Sequence, residues 1–115
     1  MKRYLLIGAV GALGVACASE PPTERLVSST AAIRTAEEIG APQQPTAALH
    51  LQLAKEQTER ARKLIADGDR DRAALVLARA EADANLAIAL ARTANEQADA
   101  QGAINKVYEL KGSEK

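Results

Sequence analysis

The sequence predicts an all-α protein: an antiparallel helical hairpin with a long C-terminal helix, joined by a shorter N-terminal helix. Three observations predict it. Small and apolar residues recur at alternating steps of four and three from Asp69 to Ala103, at Ala73, Leu77, Ala80, Ala84, Ala87, Ala91, Ala94 and Ala98. That is the spacing of a coiled-coil seam. The chain has neither Trp nor Phe, so its core must be Ala, Leu, Ile and Val, which suits helix packing more than a sheet. Two glycine-bearing breaks, Gly40–Pro45 and Gly68-Asp69, divide the remainder into three helical stretches.

The elements follow in chain order. Lys2 and Arg3 precede an apolar run, Tyr4–Val15, of about a dozen residues. A bilayer span needs ~20, so the run reads as the core of an export signal. It leads into Leu13-Gly14-Val15-Ala16-Cys17. Small residues before a cysteine resemble the lipobox of bacterial lipoproteins, although Gly14 stands where Leu is usual. That resemblance implies cleavage before Cys17 and lipidation of its thiol and amine. An exported chain with one lone thiol is otherwise hard to account for. The alternative is a soluble secreted protein cut after Ala18. Ala18 in place of Asp implies, by the same resemblance, an outer-membrane lipoprotein facing the periplasm. The expected division is therefore residues 1–16 as signal peptide, 17–23 as lipidated cysteine and spacer, 24–111 as helical domain and 112–115 as tail.

Pro21-Pro22 predicts an extended spacer. The first helix is expected over Glu24–Ile39, with Leu26, Ala32, Ile33, Ala36 and Ile39 on one face, stopped by Gly40 and Pro42. Thr46 is the expected cap of a second helix, Ala47–Asp67, with the stripe Ala47, Leu51, Ala54, Ala61, Leu64 and Ile65. Glu56–Arg60 and Glu59–Lys63 sit at i,i+4 in the favourable order, each worth ~0.2–0.5 kcal/mol. Gly68 ends this helix and Asp69 caps the third, so short a turn forcing an antiparallel hairpin. The third helix is expected to run on to Lys111, with fraying or a bend at Gly102. Beyond Ala98 its apolar stripe changes phase, because Ala100, Ile104 and Val107 align with Leu86 and Leu90 rather than with the seam. At ~1.5 Å per residue the third helix is about twice as long as the second, so half of it overhangs. The first helix either completes a three-helix bundle or lies end to end with the second in a coiled-coil-like array. Ala84–Ala94, apolar on nearly every side, favours the bundle.

These residues also carry a family resemblance. Ile39-Gly40-Ala41-Pro42, Leu51-x-x-Ala54 with Ala61, Ala66-Asp67-Gly68-Asp69-x-x-x-Ala73 and Ala80-Glu81-Ala82-Asp83-Ala84 resemble a bacterial family catalogued as domain of unknown function 4398. The resemblance covers roughly Ala31–Gln97. It implies a small envelope lipoprotein; members are sometimes fused to a peptidoglycan-binding domain of the outer-membrane protein A type, for which these residues leave no room. It implies no catalytic residues. Gln43-Gln44-Pro45 departs from the Tyr or Ala that the family often has before this proline.

Function classes can then be weighed. Loss of Lys2 and Arg3 would take the balance of 15 basic and 15 acidic residues to a net −2, and no basic face is interleaved with aromatics, so nucleic acid is not an expected partner. His50, the only histidine, lacks companions for a metal site, and Ser28, Ser29 and Thr30 lack a base. No catalytic residue, metal or cofactor is expected, and the protein is read as a non-enzyme. A tetratricopeptide-like peptide-binding module would need about three stacked repeats, and one hairpin is present. Lipidated Cys17, an alanine seam and terminal Lys115 also resemble the major murein lipoprotein, which implies a peptidoglycan-linked spacer as a further alternative. The favoured surface is the overhang, Ala94, Ala98, Ala100, Ala103, Ile104 and Val107, which the hairpin cannot fully cover. An uncovered apolar face of this kind marks a partner: another copy or another envelope protein.

Overall fold

A computed structural model describes residues 21–113 and is helical almost throughout. Three helices follow one another: α1 (Pro22–Glu38), α2 (Pro45–Ala66) and α3 (Arg70–Ser113), with a single 3₁₀ turn, Ala41–Gln43, between the first two. The expected three-helix bundle is the arrangement adopted. Arg25 near the start of α1 lies beside Asp71 and Ala78 near the start of α3. At the other end, the Asn95 side-chain amide donates to the Ile39 carbonyl at 3.0 Å. So α1 and α3 run parallel, and α2 returns between their ends, its first residues against Leu90–Gln97 and its last against Arg72–Arg79.

The seam explains why the helices come together. Ala73, Leu77, Ala80, Ala84, Ala87 and Ala91 are fully buried on α3. Ile33 and Ala36 of α1 and Leu51 and Ala54 of α2 meet the last three, Ala84, Ala87 and Ala91, in one cluster. Alanine lets the backbones approach closely but buries little area per contact; Leu77, the largest fully buried side chain, contributes ~1.5–3 kcal/mol. Two positions on these faces are polar. Ser29 and Thr58 complete the steps of three and four on α1 and α2, and both are buried. Each hydroxyl donates to its own helix, Ser29 to the Leu26 carbonyl at 3.2 Å and Thr58 to that of Ala54 at 2.8 Å, so neither needs a partner across the bundle.

The helix ends depart from expectation in small, explicable ways. α1 begins at Pro22, because a proline in the first turn lacks only an N–H that would have gone unused. The same reason starts α2 at Pro45; Thr46 lies inside the helix and caps nothing. Asp69 does cap α3, accepting from the Arg72 backbone N–H at 3.3 Å while its other oxygen takes the Arg72 guanidinium at 3.2 Å. Gly40 and Gly68, at φ +90° and +82°, make the left-handed turns that end α1 and α2. Glu59 pairs with Arg62, three residues on, rather than with Lys63, and Glu56 accepts from Gln52 instead of meeting Arg60. Finally, α3 passes through Gly102 without a break and takes in Gly112 and Ser113, two residues expected in the tail.

Candidate interaction surface

The bundle closes at Thr93–Gln97, where Gln44–Ala47 fold over α3. From Asn95 onward every described residue of α3 is exposed. The last sixteen of them, Ala98–Ser113, therefore form a free helical arm, ~24 Å long at 1.5 Å per residue. Neither α1 nor α2 covers it.

The six residues expected to form one surface divide between two faces. Ala94 is half-buried against the start of α2, and Ala98, exposed, follows it on the seam side. At about 100° per residue, Ala98 points about 120° away from Ile104. Ala100, Ala103, Ile104 and Val107 share the other face, all exposed. That face is larger than the six residues convey. Ala103, Ile104, Val107, Tyr108 and Lys111 line a shallow groove along the arm. Ile104 and Val107 are about half exposed, at 49% and 50%, while Tyr108 and Leu110 reach 70% and 60%. Tyr108 and Lys111 lie four residues beyond Ile104 and Val107, so the same spacing that marks those two would have found them. Three large apolar side chains, Ile104, Val107 and Tyr108, on one solvated stripe, with Leu110 at its edge, is the arrangement of a helix lacking its neighbour.

A polar cluster occupies the α2–α3 groove. Asp83 receives two side chains from α2, His50 Nδ1 at 2.9 Å and Gln57 Nε2 at 2.8 Å, all three partly buried. The Gln57 Oε1 is buried and unbonded. Asp83 thus fixes the register of α2 on α3. His50 is a packed helix residue, and among the described residues no three His, Cys, Asp or Glu side chains converge as metal ligands would. No described helix is long and apolar enough to cross a membrane. Cys17 and Lys115 lie outside the described residues.

A family model described as "Domain of unknown function (DUF4398)" matches residues 24–103. No curated protein and no solved structure matches the chain.

Proposed function

This chain belongs to the DUF4398 family, and from that premise we propose that it is a bacterial envelope lipoprotein whose bundle holds out the end of α3 as a protein-interaction surface. The observation that carries the reading is the exposed stripe Ile104, Val107 and Tyr108, with Leu110 at its edge, on a length of α3 that no other described element covers. Support for the anchor comes from the sequence: a basic start, an apolar run too short to span a bilayer, and small residues leading into the single Cys17. Two or more acyl chains on that cysteine would give stable attachment where one is marginal. The chain works without catalytic residues, cofactor or metal. Ala18 supports residence in the outer membrane, with the bundle in the periplasm.

Two measurements test this. Globomycin should accumulate the precursor, and Cys17→Ser should abolish lipid labelling and release the protein from membranes. Unchanged precursor size and membrane partitioning would remove the anchor. A photo-crosslinking residue at Tyr108 should capture protein in intact cells, and the same residue at Glu59, on the charged face of α2, should not. Equal labelling at both positions would remove the interaction surface.

A further inference from the structure

We infer that the partner of the α3 arm is the arm of a second copy, running antiparallel to it about a two-fold axis beside residue 105. The inference rests on the reading of the arm as an interaction surface and names its occupant.

The groove is the continuation of one the protein already uses. Val76, Asp83 and Leu90 stand seven residues apart on α3, and each faces α2: Val76 beside Leu64, Asp83 bonded to His50 and Gln57, Leu90 beside Pro45 and Ala47. The same seven-residue ladder continues as Gln97, Ile104 and Lys111, with Ala100 and Val107 interleaved at steps of three and four. A strict seven-residue repeat specifies a left-handed pairing with a neighbouring helix. α2 fills that place as far as Gln97 and then ends. Past it the ladder is empty, and Gly102 weakens the arm further. Solvated helix of this length gains little from its own backbone bonds, so its order depends on a neighbour.

Self-complementarity selects the occupant and its direction. An antiparallel pairing about that axis sets Ile104 against the partner copy's Val107, twice, in the two central layers. It sets Ala100 against Lys111 and Ala103 against Leu110, small against large on both flanks, with Gln101 beside Tyr108. Glu96 and Asp99 stand at the near end of the arm and Lys111 on the stripe at its far end, while Lys106 and Glu109, of opposite sign, both lie on the side away from the stripe. Antiparallel copies therefore bring each Lys111 over the Glu96–Asp99 turn of the other. A parallel pairing would place Lys111 on Lys111 and Ala100 on Ala100, leaving a like-charge contact at one end and a void at the other. It would also drive the second helix into α2 below Gln97. An isologous contact of this kind closes on itself as a dimer.

Single-cysteine variants in intact cells distinguish the arrangements. A mixture of Gln101→Cys and Tyr108→Cys chains, treated with a short bis-maleimide, should give the mixed crosslink, while Tyr108→Cys alone gives little; the chain without an added cysteine gives none. Full-length protein purified in mild detergent should sediment as a dimer. Ile104→Asp with Val107→Asp should make it a monomer with the same thermal transition, since these side chains touch nothing in the bundle. Strong self-crosslinking of Tyr108→Cys would overturn the antiparallel order. A wild-type monomer would overturn the pairing, even where photo-crosslinking at Tyr108 captures a different protein; in that case the interaction surface stands and its partner is another chain. Vesicle binding that requires Ile104 and Val107, without self-crosslinking, overturns it equally.

Discussion

At the scale of single residues, the fold depends on what is small and on what is paired. Ala87 is fully buried where α1, α2 and α3 meet, and its methyl group sets how closely the backbones approach. Ala87→Leu should cost ~1–3 kcal/mol through overpacking, measured as a lower urea midpoint with little change in slope. Asp83 takes two side-chain donors from another helix. Asp83→Ala removes both bonds and leaves two partly buried groups of α2 unsatisfied, which should cost about 1–2 kcal/mol by the same measurement. Asp83→Asn, which retains an acceptor, should lose less. Of these residues, Ala87 is legible in sequence as a member of the repeat. Asp83 is not, because its neighbours on α2 lie 26 and 33 residues away and no local pattern links them.

At the scale of elements, the helices were legible wherever an apolar period and a glycine stop agreed. The seam of α3 stands out because eight of its positions are Ala or Leu, and six of these are buried as the spacing requires. Ser29 and Thr58 were hidden on α1 and α2, since a hydroxyl reads as solvent-facing until its own helix is seen to satisfy it. α1 and α2 start two residues before the expected positions because proline reads as a breaker, whereas in a first turn it is an ordinary opening. Of the arm, Ile104 and Val107 are legible from phase, and Tyr108 and Lys111, one turn on, follow from the same spacing; the groove brings the four together. Gly102 gives the element its own test. A side chain there would meet open space and lies off the apolar stripe. Gly102→Ala should stabilise the arm by ~0.8–1 kcal/mol, seen as slower amide exchange across residues 98–113 with unchanged exchange in α2.

At the scale of the whole molecule, bundle and arm are separable. The core is complete by Ala91, and the last contacts across it are those of Ala94, Asn95 and Gln97. Ending the chain after Gln97 should therefore leave the thermal transition of dilute protein nearly unmoved. The helical circular-dichroism signal should fall roughly in proportion to the residues removed. A large drop in melting temperature would show that the arm supports the bundle after all.

The parallel course of α1 and α3 has a further consequence for posture. Because Pro22 starts beside the first turns of α3, the N-terminal end of the bundle is its heel and the arm its toe, ~60 Å away along the helix axis. Two copies joined toe to toe would hold their heels at opposite extremities, ~110 Å apart. Only four residues separate Cys17 from α1, so if both heels are moored in one leaflet neither copy can stand upright. The pair would recline along the bilayer as a low strut, and a single copy would rise from it as a post.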